Sequence, residues 1–294
     1  MVVVGNITVG GSGKTPLVVA LAEALGAAGL RVGILSRGYG GRPGKLPLAV
    51  AADSDPARCG DEPLLLALRT GCPVYVHPDR VAAAHRLLAA AAVDVLLADD
   101  GLQNYRLARD LELAVIDARF RLGNAWPLPA GPLREPVGRL AAVDYVVCNG
   151  TPAAAGEVPM RLVGELALPL RGGAARTLES FCGQVVHAVA AIGDPERFFS
   201  YLRARGLQLE SHPFPDHHRY TPGELQFSER APILMTEKDA VKCRPWAGPD
   251  TWYVPVSAEL PESLIRGLLS RLPVIADGRA DQRPHASLAT SGDP

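Results

Sequence analysis

The sequence has little of several features that would define common functional classes. Aromatic residues make up only 5% of its 294 residues and the formal net charge is −1. This composition provides neither a global basic field nor a base-stacking platform, which excludes nucleic acid as the expected partner. Five scattered cysteines form no C-x-x-C pair, so we expect reduced, buried thiols in a cytosolic protein. No signal peptide or uninterrupted membrane-spanning run is visible in the sequence.

Apolar residues make up 48% of the chain, which also contains 30 glycines and 26 prolines. Short β-rich runs alternate with helical stretches rich in alanine and leucine. This alternation predicts an α/β fold in which a doubly wound, mostly parallel, P-loop NTPase-like sheet is followed by a second, smaller α/β domain. We expect a P-loop domain at 1–155, an extended linker at 156–183, the smaller domain at 184–276 and a disordered tail at 277–294.

A glycine-rich run follows the first predicted strand and opens the first predicted helix. It consists of Gly10, Gly11, Ser12, Gly13, Lys14 and Thr15. Such a turn directs successive backbone N–H groups at phosphates, while the lysine reaches the β- and γ-phosphates and the threonine hydroxyl reaches Mg²⁺. Thr8 stands where the usual pattern has glycine. The alternative is a glycine-rich turn with a solvated lysine.

Two carboxylates, Asp99 and Asp100, end the apolar run Val95–Ala98. An acid at the end of a strand is typical of a Walker-B element that faces Mg²⁺. Adjacent side chains of an extended chain point in opposite directions, so we expect one acid at the metal and the other orienting water or a neighbour. A solvated acidic turn is the alternative.

Other candidate polar residues also follow predicted strands or open predicted helices. Asp61 precedes a helix and is either a general base or an ordinary cap, and the local sequence leaves both open. Arg37 lies in a glycine-rich basic loop that could bind an anionic substrate. The alternative is a glycine-rich loop without a binding role. Arg80 would contact a phosphate or form a surface pair. Arg134 and Glu135 end a stiff, proline-containing loop that would suit a hydrophobic ligand.

The second predicted domain contains one candidate site residue, His217, and a segment that does not match the guanine-recognition motif. Adjacent histidines at 217 and 218 do not form a metal pair on an extended chain, which leaves one histidine to assist proton transfer. In Thr236–Asp239 the lysine follows glutamate, which is the wrong order for the guanine-recognition element of GTPases. The sequence therefore favours ATP over GTP.

Several stretches together resemble the tetraacyldisaccharide 4′-kinase family, the lipid A kinases of Gram-negative bacteria. They run in order along nearly the whole chain: VGNITVGGSGKTP, SRGYGGR, GDEP, DRVAAA, ADDGLQNYRLARDLELAVIDA, LPAGPLREP, FPDHHRYT and TEKDAVKC. The resemblance implies transfer of the ATP γ-phosphoryl group to the 4′-hydroxyl of a tetraacyldisaccharide 1-phosphate, forming lipid IVA. It also implies that Thr8 belongs to the family's own P-loop.

The resemblance further assigns roles to individual residues. It implies Asp61 as catalytic base aided by His217, with Lys14 and Thr15 on the phosphates and Mg²⁺. The remaining implied contacts divide into nucleotide binding (Thr8, Gly10, Gly11, Ser12, Gly13, Gln103), metal binding (Asp99, Asp100) and substrate binding (Arg37, Arg80, Arg134, Glu135). The competing hypothesis is a P-loop switch ATPase that acts on a protein partner.

The resemblance also implies a membrane setting for the reaction. Family members resemble one another in a hydrophobic helix before the first strand, whereas this sequence starts within that strand, so we expect residues to be missing upstream. We expect peripheral attachment of this form to the cytoplasmic face of the inner membrane, with a lipid substrate and no obligate protein partner.

Overall fold

The computed structural model describes residues 1–272 and consists of two sheets flanked by helices. The strands are β1 Val2–Gly5, β2 Val32–Ser36, β3 Leu48–Val50, β4 Val74–Val76, β5 Val95–Ala98, β6 Leu111–Asp117, β7 Tyr145–Asn149, β8 Glu157–Val163, β9 Leu166–Pro169, β10 Arg176–Thr177, β11 Val185–Ala190, β12 Gln208–Pro213, β13 Ile233–Thr236, β14 Thr251–Val254 and β15 Ser257–Glu259. The α-helices are α1 Lys14–Ala27, α2 Pro56–Cys59, α3 Asp61–Thr70, α4 Arg80–Ala90, α5 Pro195–Arg203, α6 Glu237–Cys243 and α7 Glu262–Arg271.

The first sheet has nine strands in the order β15-β8-β7-β6-β1-β5-β2-β4-β3. All neighbours are parallel except β3 with β4 and β15 with β8, the two edge pairs. Strands β1, β2, β5 and β6 are buried along their whole length, as expected when helices cover both faces of a parallel sheet. The predicted α/β class with a mostly parallel P-loop-like sheet is confirmed.

Strand order explains where the polar residues meet. Strand β1 lies between β5 and β6, and Val3 is paired with Ala98, so the glycine-rich loop and Asp99 leave neighbouring strands at the same edge. Strand β2 pairs with β5 on its other side, with Leu35 opposite Ala98, which puts Ser36 beside Asp99. In doubly wound sheets ligands bind at this carboxyl edge of the strands.

The second sheet has six strands in the order β10-β9-β14-β13-β11-β12. Its own core is built on Phe181, Phe199 and Leu202. The predicted linker 156–183 contains β8 of the first sheet as well as β9 and β10 of the second. After β14 the chain returns to the first sheet as β15, and α7 packs on the core of that sheet.

Three further predictions can be compared with the structure. Cys59, Cys148 and Cys243 are buried as expected, whereas Cys182 is exposed, and all five thiols are unpaired. The sequence also predicts a helix over 134–141, and this segment instead contains a 3-10 turn, Val137–Ala142, because Pro136 disfavours helical backbone in the residue before it. The predicted tail at 277–294 lies outside the described residues, as do the last residues of the predicted smaller domain.

Candidate functional site

The glycine-rich loop forms an open concavity at the start of α1. Gly10 and Gly13 have φ values of 95° and 96°, which L side chains rarely adopt. A Cβ at Gly13 would lie 2.8 Å from Asn149 Nδ2, while one at Gly10 or Gly11 would meet nothing within 4 Å. Asn149, at the end of β7, donates to the Ser12 carbonyl at 3.1 Å. The loop is therefore held by Asn149 at Ser12 and Gly13, and it is open at Gly10 and Gly11.

Lys14 is the first residue of α1, and its side chain lies among oxygen atoms. Nζ donates to Asn6 Oδ1 at 3.0 Å and lies 3.6 Å from Asp100 Oδ1. Arg134 grips the same carboxylate through two hydrogen bonds of 2.6 and 3.0 Å. Burial raises the pKa of Asp100, but the hydrogen bond from Arg134 and the charge of Lys14 outweigh it, so the pKa is below the usual range. Asp100 is thus a carboxylate anchored by two cations.

Asp99 differs from Asp100 in its environment and in the direction in which its pKa is shifted. It is almost fully buried, and Oδ2 accepts from Ser36 Oγ at 3.2 Å, while Oδ1 is buried without a partner. Burial, helped by the charges of Glu62 and Asp100, raises the pKa of Asp99 to about 7. A buried carboxylate oxygen without a donor is what a divalent cation would satisfy.

The remaining predicted nucleotide residues line the same edge. Thr15 and Ser12 are buried, and Ser12 Oγ has no hydrogen-bond partner. Thr8 forms a bridge with Leu133, which fixes the loop preceding Arg134 against the glycine-rich loop. Gln103 Nε2 donates to the Asn6 carbonyl at 3.0 Å and to Glu135 Oε1 at 2.5 Å.

The predicted substrate-binding residues fall into different environments. Arg37 is exposed. Arg80 is only 3% exposed and donates to the carbonyls of His77 and Asp99, each at 3.2 Å. Burial lowers the pKa of Arg80 to about 10. Glu135 accepts from Gln103 and Tyr105 and pairs with Arg139. Arg80 therefore fixes the end of β5, and Glu135 is held by donors of the first sheet.

Asp61 is the first residue of α3. The helix is preceded by Gly60, with φ 91°, and has no side-chain cap, so Asp61 is not the ordinary capping residue that its sequence position would allow. A Cβ at Gly60 would lie 2.6 Å from the Tyr39 carbonyl, because the loop containing Gly40 packs directly against this turn. The absence of side chains here lets two loops approach closely.

His217 reaches Asp61 from the second sheet. Its Nδ1 lies 3.2 Å from Asp61 Oδ2, and its ring meets Tyr39 edge to face with centroids 5.1 Å apart. The hydrogen bond with Asp61 raises the pKa of His217 above its ordinary value. Lys242 of α6 lies 3.9 Å from the same carboxylate oxygen. Asp61, His217 and Lys242 line one cavity together with Gly40.

Sequence reasoning missed a second contact between the sheets. Lys238 Nζ lies 2.7 Å from Glu62 Oε1, and Arg69 lies 2.8 Å from Glu237. The pair with Glu62 raises the pKa of Lys238 although burial opposes it. In the sequence, the segment around Lys238 is one of the stretches that resemble the family and lacks the order of the guanine-recognition element, but neither feature predicts a contact with α3. The segment's three charges of alternating sign, Glu237 to Asp239, lie in the first turn of α6 and were the available signal for a charged helix end that faces a partner.

Asn6 and Asn149 were also missed as parts of the site. Asn6 accepts hydrogen bonds from Lys14 and Arg134, and Asn149 donates one to the Ser12 carbonyl. Neither asparagine belongs to a recognisable sequence motif. A single asparagine at a strand end carries no distinctive spacing. Only the adjacency of β1, β6 and β7 in the sheet identifies these residues.

The chain is similar to a family of known kinases. The family model for tetraacyldisaccharide-1-P 4′-kinase matches residues 1–273. A tetraacyldisaccharide 4′-kinase of Alkalilimnicola ehrlichii is 56% identical over 266 residues, covering 90% of this chain and 80% of the relative. That of Nitrosococcus oceani is 52% identical over 272 residues, covering 92% and 80%.

A solved structure agrees with these sequence relatives. The crystal structure of LpxK from Aquifex aeolicus in complex with ATP has a TM-score of 0.77 and 28% sequence identity, covering 92% of this chain and 88% of that one. The family match over almost the whole chain, the relatives above half identity and this structural likeness lead to one conclusion. The chain belongs to the tetraacyldisaccharide 4′-kinase family.

Proposed function

We propose that this chain transfers the γ-phosphoryl group of ATP to the 4′-hydroxyl of a tetraacyldisaccharide 1-phosphate, with Asp61 as the base. The observation that carries the proposal is the placement of the Asp61 carboxylate between His217 and Lys242 in one cavity. Family membership supplies the reaction, a phosphoryl transfer to an alcohol. A sugar hydroxyl needs a proton acceptor before it can attack, and a positioned carboxylate supplies one.

In this mechanism the two residues have separate tasks. Asp61 accepts the proton of the 4′-hydroxyl as its oxygen forms a bond to the γ-phosphorus and the bond to the ADP oxygen breaks. His217 holds Asp61 through the 3.2 Å hydrogen bond and keeps the carboxylate oriented. Because His217 comes from the second sheet, the base is fully positioned only while the two sheets are in contact.

The glycine-rich loop is proposed to bind the phosphates of ATP. The exposed Gly10 and Gly11, the buried Ser12, the half-buried Gly13 and the first turn of α1 provide backbone N–H donors. Lys14 now lies near Asn6 and Asp100 and would exchange these contacts for phosphate oxygens. Thr8 and Gln103 are proposed to fix the loop and the adjoining strand end.

The residues fit a bound Mg²⁺, which family chemistry requires and which we propose for this chain. The partnerless Oδ1 of Asp99 and the hydroxyl of the buried residue Thr15 would hold the ion, with Asp100 as the nearby second carboxylate. Bound Mg²⁺ supplies neutralisation of charge on the phosphate oxygens. The protein's part is to keep Asp99 oriented, through Ser36 and Arg80.

The arginines are proposed to serve the anionic ligands. The exposed Arg37 is free to contact the substrate phosphate, whereas Arg134 bridges Asp100 and the P-loop side through Asn6. Arg80 is the least suited to direct substrate contact because it is buried, so we propose a positioning role for it. Glu135 would keep Gln103 in place.

We also propose a peripheral contact with the cytoplasmic face of the inner membrane. Phe120, Trp126 and Leu128 are exposed on the loop between β6 and β7, and this loop contacts the glycine-rich loop through Val9 and Pro132. Apolar side chains that stand free beside the site suit a lipid surface. Among residues 1–272, no helix combines the length and apolarity needed to cross a membrane.

The test is transfer of labelled γ-phosphate from ATP to tetraacyldisaccharide 1-phosphate in detergent micelles, with lipid-free ATP hydrolysis measured in parallel. We expect labelled lipid from the unmodified chain and a large loss with Asp61→Asn. The exposed Asp53→Asn is the matched control and should retain full transfer. ATP hydrolysis without labelled lipid would overturn the proposal in favour of a switch ATPase, the alternative that the family's acceptor chemistry does not favour.

A further inference from the structure

A second cluster of chemically active side chains lies away from the cleft, at the edge of the second sheet. Strand β12 is the edge strand there and pairs in parallel with β11. In this register His187 is opposite Glu210. Side chains two positions apart on a strand share a face, which puts His212 beside Glu210. The three side chains therefore meet on one face of the sheet.

The distances among their ligand atoms are close to those of a tetrahedral metal site. His187 Nδ1 lies 3.1 Å from His212 Nε2 and 3.3 Å from a carboxylate oxygen of Glu210, while His212 Nε2 lies 3.8 Å from the other oxygen. Ligands bound to Zn²⁺ at their usual distances are about 3.3 Å apart in a tetrahedron. Within residues 1–272, these three side chains form the group of histidine, cysteine or acidic residues whose ligand atoms all lie within 4.8 Å of one another.

A second contact fixes the chemical state of His187. Its Nε2 lies 3.0 Å from the backbone carbonyl of Glu229. A carbonyl only accepts, so Nε2 carries the proton and the lone pair of a neutral ring is on Nδ1, the atom that faces His212 and Glu210. Metal-bound histidines generally have such a carbonyl or carboxylate partner on the other ring nitrogen.

The surroundings also suit a borderline metal ion. The side chain of His187 is 2% exposed, whereas that of Glu210 is 53% exposed, so the site is closed on the sheet side and open to water on the other. The ring of Phe227 lies against both histidines, with centroid distances of 4.1 and 4.0 Å. This aromatic wall limits rotation of the imidazoles, and the open side leaves room for a water as fourth ligand.

We propose that His187 Nδ1, His212 Nε2 and a Glu210 carboxylate oxygen form a binding site for a divalent transition metal of the Zn²⁺ type. Metal binding requires the proton of His212 to leave Nε2, and this proton then occupies Nδ1 of the same ring. The hydrogen bond between the two histidines is replaced by one metal bond to each of them. The ion ties edge strand β12 to β11 shortly before the segment that carries His217. The site is independent of the proposed kinase chemistry, which uses other residues.

The experiment is a titration of the full, tag-free chain with Zn²⁺, and separately with Co²⁺, against a chromophoric chelator in excess Mg²⁺. We expect one ion per chain and the visible d–d bands of four-coordinate Co²⁺ without a thiolate charge-transfer band. Excess Mg²⁺ keeps the oxygen ligands of the nucleotide site occupied, and the missing thiolate band separates this site from the cysteines. Zn²⁺ should also raise the melting temperature.

Variants distinguish a metal site from a histidine pair that is merely hydrogen-bonded. His212→Gln and the exposed Glu210→Gln should each weaken Zn²⁺ binding at least tenfold and reduce the Co²⁺ bands. His218→Gln is the matched control, because His218 pairs with Glu224 at 2.9 Å without a third ligand. Its binding should equal that of the unmodified chain. Absence of a bound ion, or binding that survives both Glu210→Gln and His212→Gln, would overturn the proposal.

Discussion

The two sides of the cleft are built in different ways. On the nucleotide side the pairs that Lys14 and Arg134 form with Asp100 lie within the first-sheet part of the chain. On the base side the contacts join the two sheets, because His217 reaches Asp61 and Lys238 reaches Glu62. The nucleotide side is therefore preassembled, whereas the base side exists only when the sheets are docked.

This difference suggests how the chain separates binding from chemistry. Under the proposed assignments, the contacts of Lys14 and Arg134 with Asp100 do not depend on the second sheet. A base that is oriented across an interface is complete only in the docked arrangement, and this would protect ATP from hydrolysis before the acceptor is in place. Substitutions on the two sides should consequently have different kinetic signatures.

The largest effect is expected at Asp61. Asp61→Asn removes the proton acceptor while retaining size and hydrogen bonding, and kcat should fall by about 10²- to 10⁴-fold. Steady-state transfer to the lipid measures the loss, with the exposed Asp53→Asn as a control of the same chemistry. A kcat within twofold of the unmodified enzyme would remove Asp61 from the mechanism.

Lys14→Ala should give the second-largest loss of phosphoryl-transfer rate. Loss of one preorganised charge on the phosphates is worth about 10²- to 10³-fold in rate. Because Lys14 acts on ATP itself, the substitution should also weaken ATP binding, which isothermal titration measures. The exposed Lys45→Ala serves as the control. Unchanged ATP affinity together with unchanged kcat would contradict the assignment of the phosphate loop.

His217→Gln should reduce kcat by about tenfold, less than the roughly 10²- to 10⁴-fold that a proton-transfer group itself contributes, since Asp61 remains. His217 also predicts a pH dependence of stability. Its pKa is raised in the folded protein, so its stabilisation is complete below the ordinary pKa of about 6.5 and is lost as pH rises through the folded value.

Denaturant unfolding of the unmodified chain and His217→Gln across this pH range tests the sign. The difference in unfolding free energy should shrink as pH rises above about 6.5. The exposed His85→Gln should show no such trend. A difference that grows with pH would mean that the hydrogen bond with Asp61 does not favour protonated His217.

The smallest effect is expected for the ion pair of Glu62 and Lys238, whose side chains are each about one-quarter exposed. A double-mutant cycle with Glu62→Gln and Lys238→Met should give a coupling of about 1 kcal/mol in unfolding free energy, near the upper end for pairs that solvent reaches. Additive effects would show that the pair does not hold the sheets together.

Much of the first sheet follows from its sequence. The buried strands are continuous apolar runs, and the acids and glycines follow them directly, which is enough to predict both the parallel sheet and its ligand edge. The return of β15 and α7 to the first sheet could not be predicted, because strand pairing across the second sheet is nonlocal and has no local sequence signal.

The residues of the candidate site likewise differ in how well the sequence predicts them. The phosphate loop, Asp99 and Asp100 have motifs with fixed spacing, whereas the local sequence at Asp61 fits both a base and a helix cap, and only the family resemblance implies the base. Lys238 and Lys242 meet α3 only through docking of the sheets, and no spacing within α6 indicates that contact. The roles of all these residues in catalysis stay predictions.

The most direct measurement is the ATP dissociation constant of Asp61→Asn set beside its rate of phosphoryl transfer in a single turnover. The account predicts a rate reduced by about 10²-fold or more with an ATP dissociation constant unchanged within about twofold. A substitution that weakens ATP binding as strongly as Lys14→Ala while sparing the transfer step would contradict the division of the cleft into a binding side and a base side.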